Sequence, residues 1–447
     1  MRLKLVYPAW PKLVEQTAFH LPPHGPVVFA ATVGREVDLT FTDENRCDLD
    51  LDDSPDAVAL SVMLTCQIPR AKEIARAYRR RGIPVIAGGI AVMLHAEEMA
   101  RACDAVFLGE AEGWFDEVLV DLRSRRLKGV YDHMGQFPPI ESVGAARRDI
   151  LDYALYTYRN VRMVDLVHAS RGCRFNCAPC AVSFLGGRRF RPRPVANVVE
   201  EIQGIDNMRL FFVDNSLAQD SQWERELFEA LIPLKRTWIG HPIEADEELL
   251  DLARRSGCWY VYQAITGVSE TVRRRIQLYK QYGIGVEGTI ILGTDDQDED
   301  GLRRLVDFAF ELELDMAEFT VMTPFPHTPY RETLEREGRI LHDDWQKYTS
   351  GTVVFQPKWM SPARLQDLYY EAWDRFYGSA GRQLKMAQLF RKAIASERAR
   401  GILPARPGTS EPGPEGNEAE RNPSPGEARS WPEAAARDAP AFFEPEE

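Results

Sequence analysis

Along the first 125 residues, short hydrophobic runs rich in β-branched side chains alternate with stretches whose apolar residues recur at helical spacing. Residues 3–7, 37–41, 57–64, 85–88 and 105–108 predict strands, and residues 70–81 and 96–101 predict helices. Alternation at this spacing predicts a doubly wound parallel sheet of the Rossmann or flavodoxin type, which binds ligands at the carboxyl ends of its strands. Residues 126–161 contain Pro138-Pro139 and little periodicity, and predict a linker. A second alternation follows, with strands expected at 165–169, 210–213, 237–239, 259–264, 286–292 and 317–322. Helices are expected at 195–205, 223–231, 247–255 and 300–312. Six βα units in series predict a partial (β/α)6 barrel over residues 162–335, with functional groups at the strand C-termini. Residues 336–402 predict a mainly helical region, with helices at 362–376 and 383–394. Residues 403–447, rich in Pro, Glu, Ala, Gly and Ser, predict a disordered tail.

Composition narrows the function classes. The 447 residues are 44% hydrophobic and 28% charged, with a formal net charge of −13, which argues against nucleic acid as a partner. Arg79-Arg80-Arg81 and Arg273-Arg274-Arg275 sit in or at the end of helix-like segments and read as solvated faces. The longest strongly apolar run, near residues 57–64, is too short to span a bilayer, and no secretory signal is evident, so a cytoplasmic protein is expected. The seven cysteines then read as reduced thiols rather than a disulfide framework.

Three of those cysteines lie within eight residues, in Ala169-Ser170-Arg171-Gly172-Cys173-Arg174-Phe175-Asn176-Cys177-Ala178-Pro179-Cys180, directly after the first barrel strand. Three thiolates on one loop can bind three irons of a [4Fe-4S] cubane and leave the fourth iron open to a small molecule. Zinc is the alternative, but it calls for a fourth donor, and the one close histidine, His168, lies on the preceding strand.

The Cys-x3-Cys-x2-Cys loop after the first strand of a βα barrel resembles that of radical S-adenosylmethionine (SAM) enzymes. The segment from Gly186-Gly187-Arg188-Arg189-Phe190 to Pro194 resembles the stretch that follows it in their cobalamin-dependent branch. Pro179 departs from the family pattern, which has an aromatic residue before the third cysteine. The resemblance implies that Cys173, Cys177 and Cys180 hold the cluster. It implies SAM contacts at Asp214 and Asn215 after the second strand, Ser269 and Glu270 after the fourth, Gly293 after the fifth and Thr323 after the sixth. His327 stands where glycine is common and is a candidate to face the substrate.

The first domain, residues 1–125, is similar to the cobalamin-binding domain of these enzymes. The likeness implies corrin contacts at Ser61, Thr65, Gly88, Gly89, Ile90 and Glu110. No Asp-x-His-x-x-Gly motif follows its first strand, and His20 and His24 show no orienting partner in the sequence, so cobalt is expected without a protein histidine ligand. The implied activity is methylation of an unactivated carbon in a small-molecule or lipid-like intermediate, with an electron donor such as flavodoxin or ferredoxin. A radical SAM oxidative cyclase, or a sensor that holds cluster and cobalamin without turnover, are the alternatives. The aromatic set Trp359, Tyr369, Tyr370, Trp373 and Tyr377 reads as packing or as a cap on the barrel.

Overall fold

A computed structural model describes residues 1–13, 20–158 and 160–404. Nearly all of the expected disordered tail therefore lies outside the described residues. The first sheet has strands β1 (Arg2–Tyr7), β2 (Asp38–Asp43), β3 (Ala57–Ser61), β4 (Val85–Gly88), β5 (Ala105–Leu108) and β6 (Val130–Asp132). All pair in parallel in the order β2-β1-β3-β4-β5-β6. Its strands bury apolar residues on both faces, and a separate hydrophobic cluster fills each side. One centres on Ile68, Ile74 and Tyr78 of the helix Ile68–Arg80, the other on Phe115 and Leu119 of the helix Phe115–Arg123. The strand order reverses between β1 and β3, which makes the crevice above them the expected ligand seat.

Strand β6 comes from the stretch expected as a linker, so the first sheet extends past residue 125 to Asp132. Between it and the barrel, the chain makes short 3-10 turns and a hairpin of Thr157–Tyr158 with Val161–Arg162.

The second sheet has strands β7 (Asp165–Val167), β8 (Arg209–Phe212), β9 (Thr237–Gly240), β10 (Cys258–Ile265), β11 (Gly285–Leu292) and β12 (Met316–Val321). They pair in parallel in sequence order, which is the expected (β/α)6 arrangement. Alternate residues such as Val286, Ile290, Leu292, Phe319 and Val321 are buried in the main core beneath the helices. The helix-like segment that carries Arg273-Arg274-Arg275 is a full barrel helix, Glu270–Gln281, which follows β10 with Ser269 as its N-cap. The C-terminal region is less helical than expected. Residues 336–361 are largely irregular, with one bridge between Ile340 and Phe355. The two expected helices form one span, Pro362–Ala399, bent at Gly378, whose φ of 58° is left-handed. Tyr369, Trp373 and Tyr377 are buried against the barrel, Trp373 with its ring 5.6 Å from that of Phe319, so this set is packing; Trp359 alone is largely exposed. No helix among the described residues is long and apolar enough to cross a membrane.

One buried carboxyl makes the fold pH-sensitive. Glu224, on the helix Ser221–Leu231, is fully buried, and burial pushes its pKa up to about 8. The unfolded chain releases this proton near pH 4, whereas the folded chain keeps it to about 8, so this group's contribution to stability falls as pH rises between the two. Replacing it by the neutral isostere (Glu224→Gln) is expected to raise the melting temperature at pH 8 by several degrees and to leave it nearly unchanged at pH 5. Thermal melts of the two proteins at both pH values check this.

Candidate functional site

The cysteine loop leaves the C-terminal end of β7 and is pinched at its base. Ser170–Arg171 pairs antiparallel with Arg191–Pro192, so the loop closes on itself like a purse. Gly172 has φ +76°, and a Cβ there would lie 2.1 Å from the Arg189 carbonyl oxygen, so only glycine lets the two ends of the loop meet. Within it the Cys180 N–H donates to the Cys177 carbonyl at 3.0 Å, and Gln219 Nε2 donates to Cys173 Sγ at 3.5 Å. Cys177 is exposed and the other two thiols are half-buried. The loop after β12 holds it from above: the Tyr330 N–H donates to the Ala178 carbonyl at 3.1 Å, and Phe184 stacks on His327 at 4.3 Å. His327 has φ 60°, a left-handed conformation that explains glycine being common there.

Among the described residues, no three His, Cys, Asp or Glu side chains converge on a point where one metal ion could sit. His168, the histidine nearest the loop, has its Nδ1 2.9 Å from His24 Nε2. A cubane makes no such demand, since each thiolate binds a different iron. Three thiols on a closed loop, one of them already receiving an N–H, fit the cluster.

The residues expected to contact SAM all lie at the same end of the barrel as this loop, just past the ends of β8, β10, β11 and β12. Several already have structural partners. Asp214 is buried and accepts from the Ala169 N–H at 3.0 and 3.1 Å and from the Ser170 hydroxyl, while burial lifts its pKa to about 6. It thereby ties the end of β8 to the start of the cysteine loop. Asn215 is exposed. Ser269 caps the following helix through the Val272 N–H at 3.4 Å, and Glu270 pairs with Arg273 at 2.9 Å. Gly293 has φ +88°, with its N–H donated to Gln297 Oε1 at 2.7 Å, and the Thr323 hydroxyl donates to the Val321 carbonyl at 2.9 Å.

The sequence reading missed a polar set inside the barrel. On the strand face opposite the helices stand Tyr262, Glu287, Thr289, Glu318 and Thr320, with the rings of Phe211 and His241 5.4 and 6.0 Å from that of Tyr262. Burial, with Glu318 nearby, raises Glu287 to about 8, so it is largely protonated at neutral pH. The period-two polar residues in strands that should be apolar throughout were the available signal.

In the first domain the expected corrin residues gather at the C-terminal edge of the sheet. Gly88 ends β4, and Ser61 ends β3 in register with it. Gly89 follows with φ +107°, where a Cβ would lie 2.5 Å from the Val62 carbonyl oxygen. Ile90 and Met63 on this edge are each 44% exposed, an apolar ledge suited to a flat macrocycle. Thr65 is buried, its hydroxyl 3.3 Å from His95 Nε2. This edge fits cobalamin. Glu110 has a different engagement: it accepts from Arg171 at 2.8 Å and from Arg191, while Glu112 accepts from Arg171 at 2.5 Å. Carboxylates after β5 thus grip both strands of the hairpin that closes the cysteine loop. The histidines also differ from expectation. His20 Nε2 lies 3.0 Å from Asp43 Oδ2, which also accepts from the Tyr156 hydroxyl, and His24 pairs with His168, so both imidazoles do have orienting partners.

Replacing Gly89 by alanine (Gly89→Ala) sets a methyl against the Val62 carbonyl and forces a left-handed φ on a residue with a side chain, at about 1–3 kcal/mol. Cobalamin uptake, read by visible absorption after desalting, is expected to fall at least tenfold while iron uptake stays near that of the unaltered protein.

Comparison with known proteins agrees with this geometry. A profile of the B12 binding domain matches residues 28–119. The chain is 25% identical over 380 residues to the bacteriochlorophyllide d C-12(1)-methyltransferase of Chlorobaculum tepidum, covering 79% of this chain and 82% of that one. It is 24% identical over 343 residues to the bacteriochlorophyllide d C-8(2)-methyltransferase of the same organism, covering 68% and 73%. In fold it is similar to the radical S-adenosylmethionine methyltransferase TsrM of Kitasatospora setae, whose structure was solved with cobalamin and a [4Fe-4S] cluster bound. The TM-score is 0.59 at 18% identity, over 82% of this chain and 85% of that one. With a matched B12 binding domain, relatives along most of its length and a cysteine loop at the mouth of a six-stranded barrel, the chain is similar to cobalamin-dependent radical SAM methyltransferases in both sequence and fold.

Proposed function

We propose that this protein is a C-methyltransferase that uses a [4Fe-4S] cluster, SAM and cobalamin to methylate an unactivated carbon of a biosynthetic intermediate. The observation that carries the reading is the junction of the two seats: the loop of Cys173, Cys177 and Cys180 opens at the barrel mouth and is bound by Arg171 to the carboxyl edge of the first sheet. When bound, the cluster and SAM supply hydrogen-atom abstraction and cobalamin supplies the methyl group. The chain's own residues hold, orient and screen. Cys173, Cys177 and Cys180 would bind the cluster. Gly89 lets the end of β4 close against the Val62 backbone, which shapes the edge where Met63 and Ile90 form the ledge that would carry the corrin. Inside the barrel, Phe211, His241 and Tyr262 offer an aromatic wall, Glu287 offers a carboxyl that is largely protonated at neutral pH, and Glu318 beside it is a second carboxyl that burial raises, a lining suited to a largely uncharged substrate with a few polar points. The ion pairs of Arg171 and Arg191 with Glu110 and Glu112 hold the two seats together, and a substrate enclosed between them would be screened from water.

Anaerobic reconstitution with iron, sulfide and cobalamin, followed by SAM and a reductant, is expected to yield both 5′-deoxyadenosine and S-adenosylhomocysteine. Formation of neither overturns the proposal. With candidate pigment or lipid precursors, a product heavier by one methylene unit supports methylation, and a cyclised product without that gain supports ring formation instead.

A further inference from the structure

The segment around the cluster loop sorts its arginines into two kinds. Arg171, Arg191 and Arg193 turn inward, are largely buried, and each meets a carboxylate: Glu110 and Glu112 for the first, Glu110 for the second, Glu201 at 2.7 Å for the third. Arg174, Arg188 and Arg189 are exposed, and among the described residues none of them makes an ion pair; Arg174 reaches only the amide of Gln219, at 3.3 Å. Residues 173–190 contain no Asp or Glu, although the whole chain carries a net charge of −13. Phe175 and Phe184, 56% and 39% exposed, lie in the same stretch. Because Gly172 packs against the Arg189 carbonyl, the turn bearing Arg188 and Arg189 sits directly beside Gly172-Cys173. Unpaired like charges clustered with exposed aromatics have the make-up of an interface with an oppositely charged protein.

We infer that this arginine and phenylalanine face of the cysteine loop is the docking surface for a small acidic one-electron carrier protein of the flavodoxin type. The inference rests on the proposed function and adds the place and the charge logic of reduction. One electron leaves the reduced carrier and enters the oxidised cluster, with no bond made or broken. Arg174, Arg188 and Arg189 steer and orient the carrier, so that its cofactor approaches on the Cys173 side of the loop. The same charge complementarity makes the encounter sensitive to salt.

The test uses the full-length reconstituted protein and the charge-reversed double variant Arg188→Glu/Arg189→Glu. Both positions are exposed, and Arg188, at φ 55°, is no more strained as glutamate than as arginine. Calorimetric titration with flavodoxin at low salt is expected to show binding to the unaltered protein that weakens at least tenfold in the variant and, for the unaltered protein, at least fivefold on raising the salt to 0.5 M (roughly a threefold shorter screening length than at 0.05 M). SAM cleavage driven by reduced flavodoxin is expected to fall at least tenfold in the variant, while cleavage driven by dithionite stays within twofold. Three results overturn the inference: equal losses with both reductants, which makes these arginines cofactor contacts; no loss with flavodoxin; or an unaltered protein that cleaves SAM with dithionite yet neither binds flavodoxin nor accepts electrons from it. Absence of cleavage with dithionite in the unaltered protein counts against the proposed function itself.

Discussion

Replacing any one of Cys173, Cys177 or Cys180 by alanine is expected to lower iron after anaerobic reconstitution from ~4 per chain to below ~1, and to abolish 5′-deoxyadenosine formation. The other cysteines supply the contrast. Cys66, Cys103 and Cys258 are buried in the cores, and burial pushes the thiols of the first two up to about 12 and raises that of Cys258 further, so none offers a thiolate at neutral pH. Cys47 is exposed but lies at the end of β2, where its Sγ donates to the Asp43 carbonyl at 3.4 Å. Alanine at Cys47 or Cys103 is therefore expected to leave iron content and SAM cleavage within twofold of the unaltered protein. Iron and sulfide assays with product chromatography decide the matter, and a loss of iron shared equally by all cysteine variants would remove the loop from its role.

These cysteines stood out in the sequence because their chemistry is local: three thiols, two turn residues and a preceding strand occupy a dozen positions. Buried strands were legible for a similar reason. Residues 85–88 and 105–108 match β4 and β5 at both ends, since a short apolar run between polar flanks has one way to be buried. The helix Glu270–Gln281 is legible in sequence only as a helix-like segment around Arg273-Arg274-Arg275, without bounds, because its buried stripe is narrow, with only Ile276 and Tyr279 buried. Strand β6 has three residues with one, Tyr131, facing the core, too short a pattern to register period two. Glu110 is a candidate corrin contact in the sequence because it follows a strand end. Its partners lie 61 and 81 residues away, a pairing that only the docking of two domains creates.

That pairing gives the second large effect. Glu112 is 9% exposed, and Arg171 meets it through two nitrogens, at 2.5 and 3.1 Å. Burial by itself would raise the Glu112 carboxyl, but the hydrogen-bonded Arg171 guanidinium outweighs it and holds the pKa below the ordinary glutamate range. Its stabilising contribution is thus present above the unfolded pKa and lost as pH falls through the folded one. Glu112→Ala leaves the Arg171 charge buried with Glu110 alone, and is expected to destabilise the protein by about 3 kcal/mol, the lower end of the cost of breaking a buried pair. Glu110→Ala removes a carboxylate with more exposure to water and is expected to cost about 1 kcal/mol. Denaturant melts at pH 7 separate the two. Adding Arg171→Ala to Glu112→Ala should cost less than the two single changes summed, because the double variant leaves no orphaned charge. Strict additivity would mean that the contact carries no energy of its own. The functional consequence follows from where the pair sits. Arg171 stands two residues before Cys173 and Glu112 four residues past the end of β5, so the interaction that stabilises the fold also sets the spacing of the cysteine loop and the edge of the first sheet. In Glu112→Ala, cobalamin retention and iron uptake are expected to fall together, whereas Gly89→Ala loses cobalamin alone.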